Sequence, residues 1–172
     1  VGPGRTGVLI RFGQAQEVTF SPGAHLKAPW PVDRVIRVDM PLVRRVEIGF
    51  RTREIPRAVT RVAEEFYATL WESRHAAGTY EKLPEEALRL TGDENIVDMN
   101  MVLFYRVTDA RKYLFTVADP ESYIRSVTEY TLGVSAGSRA IDDVLTVDRA
   151  TFEIVLREGV QSALDAADVG VE

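Results

Sequence analysis

At 172 residues, 45% hydrophobic and 27% charged, the chain is long enough to bury one domain's core and has an ordinary globular composition. It contains no cysteine, which excludes a disulfide framework, a thiolate metal site and a cysteine nucleophile. A net charge of −5 argues against nucleic-acid binding, which needs a dominant basic footprint.

The charge is unevenly spread: residues 1–61 hold 11 Lys/Arg against 5 Asp/Glu, and the remainder 10 against 21. A basic first third suits approach to an anionic surface such as lipid head groups, and equally suits chance decoration of strand faces. No apolar run nears the roughly 18 residues of a membrane-spanning helix; the longest is Met101–Tyr105. Because the chain opens at Val1 with a strand close behind, a further segment is expected upstream.

The first half reads as short strands and turns. Val8–Phe12 ends at Gly13, Glu17–Phe20 runs into Ser21-Pro22-Gly23, and His25–Ala28 is extended up to Pro29-Trp30-Pro31. Proline cannot donate to a ladder, so that last tripeptide belongs to an edge or a loop. Residues 35–50 resume a β pattern, interrupted at Pro41. Over 58–77 the period changes: Val59, Val62, Phe66 and Leu70 predict a helix, with residues 79–84 as a linker.

From Val97 to Val107 alternate residues predict one long strand. Asp119-Pro120 predicts a capped helix carrying Ile124, Val127 and Thr131 on one face. Residues 142–145 read as a turn. Asp148 caps a last helix with Phe152, Val155, Leu156, Val160 and Leu164 on its apolar side, ended by Gly170. Val171-Glu172 reads as the start of a strand. Strands first and helices later give an α+β class.

Four motifs bear on chemistry. Gly2-Pro3-Gly4-Arg5-Thr6-Gly7 spells the dinucleotide fingerprint, but no strand precedes it and no helix follows, so it is a Pro-Gly turn. Gly133-Val134-Ser135-Ala136-Gly137 spells a hydrolase nucleophile elbow, yet helical sequence leads into Ser135. The two histidines, His25 and His75, both precede it, the reverse of the usual triad order.

Leu90-Thr-Gly-Asp-Glu-Asn-Ile-Val-Asp98 gathers oxygen ligands, but a calcium loop begun at Asp93 fails at its fifth, glycine and twelfth positions. It is predicted to be a turn at Gly92-Asp93-Glu94-Asn95, since Gly and Asn tolerate positive φ and Asp caps its own backbone. Tyr67, Trp71 and Tyr80 read as packing. The fourth motif, Pro29-Trp30-Pro31, is a rigid amphipathic element of the kind found at membrane interfaces; a tryptophan buried beneath a loop fits equally. No catalytic, metal or cofactor site is predicted. The rival reading from another class is a serine hydrolase built on Ser135, and a small-ligand binding module is a weaker third.

Read in order, GVLIRFGQ, SPGAHLKAPWPVDRVIRVD, VRRVEIGFR, LTGDENIVDMNMVLFYRVTDARKYLF, ADPESYIRSVTEYTL, IDDVLT and DVGVE resemble the SPFH or band 7 superfamily (stomatin, prohibitin, flotillin, HflK/HflC), nearest its bacterial HflK branch. The resemblance covers the chain except for residues 52–84, a helical insertion, and implies an SPFH domain whose membrane anchor lies upstream and whose coiled coil lies downstream.

It further implies a non-enzymatic, membrane-associated scaffold assembling into rings or cages, with itself or an HflC-like paralogue. Such a scaffold modulates an FtsH-like membrane protease from the periplasmic side of the bacterial inner membrane. Phe12, Pro29, Trp30, Pro31 and Val32 are then expected to face membrane lipids, and Tyr123, Arg125, Arg149, Glu153 and Arg157 to form a lateral oligomer face.

Overall fold

In the computed structural model the described residues are 2, 4–52, 80–147 and 149–172; the predicted helix over 58–77, with His75, Tyr67 and Trp71, lies outside them, as does Asp148. Strands β1 (Arg5–Arg11), β2 (Gln14–Phe20) and β3 (Asp33–Asp39) form an antiparallel sheet in the order β2-β1-β3. The β1–β2 connection is two residues long, Phe12 at φ +49° and Gly13 at φ +82°, the left-handed pair that a tight hairpin demands. Residues 23–29, expected to be partly extended, hold no strand, and the segment between β2 and β3 is a loop with a cis Trp30–Pro31 peptide.

Strand β4 (Arg44–Ile48) pairs antiparallel with β9 (Met101–Tyr105), and β5 (Phe50–Thr52) with β6 (Tyr80–Lys82). The expected linker at 79–84 therefore contains a paired strand. Its pairing is directed by Gly49, at φ +85°, where the chain bends away from β9. A Cβ there would lie 2.7 Å from the Asn100 side-chain oxygen and 2.8 Å from the Met99 carbonyl. The same bend splits the predicted long strand 97–107 into β8 (Ile96–Asp98) and β9: Met99 loses a β4 partner and donates instead to the Ala87 carbonyl at 2.9 Å.

A short helix α1 (Pro84–Ala87) leads into β7 (Leu88–Leu90), which forms a hairpin with β8. Helix α2 (Ala110–Phe115) is capped by the Asp109 carboxylate, which accepts from the N–H groups of Arg111 and Lys112. Helix α3 (Pro120–Gly137) is capped by Asp119, as read from the sequence, and a π-turn at Asp143–Val147 replaces the simple turn expected there. Helix α4 (Arg149–Ala166) follows. Gly170, at φ +74°, then reverses the chain so that Val171 bridges Val107, and Arg106 and Glu172 exchange backbone hydrogen bonds of 2.9 and 3.0 Å.

One core joins these pieces: Val8 and Val38 from the first sheet, Val46, Ile48 and Tyr105 from the second, and Ile124, Leu132, Phe152, Leu156, Val160 and Leu164 from the helices. The helices bury i, i+4 stripes, Ile124-Thr128-Leu132-Ala136 on α3 and Phe152-Leu156-Val160-Leu164 on α4. Helices layered on antiparallel strands make this an α+β fold.

Candidate functional site

The β1–β2 tip and the loop over 21–32 meet at one end of the first sheet, where the Phe12 N–H donates to the Val32 carbonyl at 3.0 Å. Asp33 shapes that end. Its side chain is inaccessible to solvent and accepts from Arg11 Nε at 2.8 Å, from an Arg11 terminal nitrogen at 3.0 Å and from the Ala28 N–H at 2.9 Å. The Arg11 hydrogen bonds, then that of Ala28, hold its carboxyl at a pKa of about 2.

With both loop ends fixed, the apolar side chains between them turn outward: Phe12 is 77% exposed, Trp30 81% and Leu26 fully. Pro29 and Pro31 are exposed beside Trp30, and Val32 is half-buried. Of the two sequence readings for Trp30, the structure has the exposed one. Leu26 escaped the sequence reading because a lone leucine between histidine and lysine carries no periodic signal. Asp33 escaped it because its partner Arg11 lies on another strand.

The residues expected to form a lateral face do not share one surface. Tyr123 is half-buried and packs against the core. Arg125, two residues on and so about 200° around the helix, turns inward and donates to the Glu47 carbonyl at 2.6 Å. Glu153 and Arg157 are exposed on α4, and the Arg149 side chain lies outside the described residues.

Arg125 belongs instead to an ionic network at the root of β5. Arg51 donates to the Glu47 carbonyl at 2.8 Å and grips Glu86 at 2.9 and 2.6 Å, while Glu47 accepts from the Thr52 N–H at 2.7 Å and its hydroxyl at 2.5 Å. Burial pushes the Glu86 and Glu47 carboxyls up, but these donors outweigh it and both end below the ordinary range.

The acidic stretch at 90–98 spans the β7–β8 hairpin turn, and the Asp93 and Asp98 oxygens are engaged by neighbouring groups, those of Asp98 by the Lys82 side chain at 3.1 Å and the Asn100 amide at 2.8 Å. Asp93 accepts from the Thr91 hydroxyl at 2.5 Å and, through both oxygens, from the Ile141 N–H at 3.2 Å. The Gly92 N–H donates to the Arg139 carbonyl at 2.7 Å, so the hairpin is tied to the α3–α4 junction. Positive φ falls on Glu94 (+62°), not on Gly92 or Asn95. Among the described residues no cluster of three His, Cys, Asp or Glu is placed to hold a metal.

Ser135 is the sixteenth residue of α3 and has no strand before it, so the geometry of a nucleophile elbow is not formed. His25 stacks on Phe20 with ring centroids 4.7 Å apart and reaches the Ser21 carbonyl at 2.7 Å. Among the described residues, no helix is long and apolar enough to cross a membrane.

An antiparallel sheet with an exposed apolar tip, followed by hairpins and a capped helix pair, is thus the frame on which the quoted motifs lie. Residues 1–172 match the SPFH domain / Band 7 family, and the chain belongs to it. It is similar to Protein HflK of Treponema pallidum (strain Nichols), 29% identical over 173 residues, covering 99% of this chain and 47% of that one. It is 27% identical to Protein HflK of Haemophilus influenzae over 170 residues, 96% of this chain and 31% of that one. A third relative, from Escherichia coli (strain K12) and named Modulator of FtsH protease HflK, is 30% identical over 90 residues, 52% of this chain and 22% of its own length. The chain spans about half the length, or less, of these relatives.

Proposed function

We propose that this chain is the SPFH domain of a non-enzymatic, membrane-associated scaffold that assembles side by side, with copies of itself or an HflC-like paralogue, into ring- or cage-like structures and modulates an FtsH-type membrane protease. The observation that carries this reading is the family match over the whole of residues 1–172, in which the best-covered relatives bear the name HflK and one is named a modulator of FtsH protease. The helical setting of Ser135 supports the absence of hydrolase chemistry. In this reading the end bearing Phe12, Leu26 and Trp30 rests on the bilayer, with Pro29, Pro31 and Val32 holding the loop rigid. The domain lies on the periplasmic side of a bacterial inner membrane.

Arg34, exposed on β3 next to that loop, favours anionic head groups. The test is to isolate the full-length protein from its native membranes and to measure both the proteins that co-purify and the turnover of a membrane-protease substrate with and without it. Co-purification of an AAA+ membrane protease together with altered turnover is the expected result. Particles that contain no protease, with turnover unchanged, overturn the reading.

A further inference from the structure

The β7–β8 hairpin presents its apolar side to solvent. Registered pairs place Leu88, Leu90, Ile96 and Asp98 on one face, while Arg89 and Val97 lie on the other, where Val97 is buried. On the first face Ile96 is 70% exposed, and Leu88 and Leu90 are each at least half exposed. Three clustered cross-strand aliphatic side chains in water are costly, and such faces mark contact surfaces. The hairpin is also stiff, because Asp93 and Gly92 bind it to the α3–α4 junction through Ile141 and Arg139. Its rim is acidic: Glu94 stands exposed at the turn, and Asp98, paired with Lys82 at 3.1 Å, lies at the open end.

The chain carries the complement of this face at the β3–β4 corner. Leu42 and Val43 are more than half exposed there, and residues 37–45 hold three arginines, Arg37, Arg44 and Arg45, against Asp39 and the Glu47 that Arg45 approaches at 3.3 Å. Arg37 and Arg45 are exposed, while Arg44 is held in place, donating to the Asp39 and Leu42 carbonyls and stacking on Tyr113.

We infer that the aliphatic face of the β7–β8 hairpin docks onto the Leu42–Val43 corner of a second copy of this chain, acidic rim against arginines, an inference that rests on the assembly proposed above. A two-fold contact of the hairpin with itself would set Glu94 and Asp98 against their own copies and is disfavoured by repulsion. Hairpin against corner is heterologous, the kind of contact that propagates from protomer to protomer and closes into rings.

The test uses the full-length protein in its native membranes, with any cysteines outside these 172 residues replaced. Two differently tagged populations carry Ile96→Cys and Val43→Cys, both at exposed positions that leave the core intact, and are oxidised after co-expression while particle images record assembly. A crosslink joining the two tags supports the inference. Particles that form without it, crosslinks between Ile96→Cys copies alone, or adducts of that position with an unrelated protein overturn the inference and leave the assembly reading standing; absence of particles and of crosslinks sinks both. In a second arm, Glu94→Arg and Arg37→Glu should each reduce the assembled fraction at least several-fold and restore it when combined. Failure of the combined variant to restore assembly contradicts the pairing of the two rims.

Discussion

Asp33 shows how one side chain settles a local shape. It fastens Arg11 of β1 and Ala28 of the loop in one grip, at the base of the loop on which Trp30 is exposed. Because its pKa falls from 3.8 to about 2 on folding, the ionised form stabilises the fold above pH 4, and this contribution is lost as the pH falls from 3.8 through about 2. Asp33→Asn is therefore expected to flatten the acid-unfolding profile in that window, read by circular dichroism against the wild type; an unchanged profile would show that the grip contributes nothing.

Gly49 acts on the backbone alone. A methyl group there meets the Met99 carbonyl at 2.8 Å and must also hold φ at +85°, so Gly49→Ala should cost about 1–3 kcal/mol, measured as a lower denaturant midpoint. Neither effect was legible beforehand. The aspartate's partner lies 22 residues away, and nothing in Ile-Gly-Phe announces a left-handed turn.

Between elements, much of the packing was readable. The stripe on α3 contains Ile124, as periodicity required, and the Asp119 cap with Pro120 at the first position starts the helix where the sequence said it would. Ile124→Ala and Leu132→Ala remove side chains that are almost wholly buried, and each should cost roughly 2–5 kcal/mol in chemical denaturation, the spread reflecting how far the cavity collapses.

The β5 root is a different case. Arg51→Ala strips Glu86 of its arginine donor and leaves the Glu47 carbonyl to Arg125 alone; with Arg51 about a third exposed, solvent screening limits the loss to roughly 1–3 kcal/mol. Glu86→Gln, which keeps the shape and loses the charge, should cost less, and equal losses would show that charge rather than packing matters there. The split of 97–107 and the strand at 80–82 were not readable, because strand partnership is a property of the neighbour: β5 leaves β4 at Gly49 and takes β6 with it.

At the scale of the whole molecule, exposed apolar side chains among the described residues include those of the Phe12–Trp30 end, the Leu42–Val43 corner and the β7–β8 face, and charge is split between a basic first third and an acidic remainder. For the bilayer contact, Trp30→Ser with Phe12→Ser removes two exposed side chains without touching the core. In the full-length protein this pair should weaken crosslinking of the loop to a photoreactive lipid several-fold, while wild-type labelling in the double variant would contradict a membrane-facing loop. If Arg34 on β3 attracts anionic lipid, labelling should also fall as salt rises, since exposed charges are screened beyond about 8–10 Å at physiological ionic strength. Of the expected lateral face, Tyr123 and Arg125, close in sequence, point to different sides of one helix, and Arg125 is used within the fold.

The sequence by itself determined the elements that rest on nearest neighbours. These are the β1–β2 hairpin, the Asp119-led helix, the turn at 90–98 and the ordered run of motifs that marks the SPFH family, because caps, turns and periodicity act within a few residues. Tertiary structure alone decided which strand partners which, which carboxylates are consumed by backbone donors, and which apolar side chains stay in water. Those outcomes depend on contacts between residues tens of positions apart, such as Arg11 with Asp33, Glu47 with Arg125 and Asp93 with Ile141. No local pattern encodes such a distance.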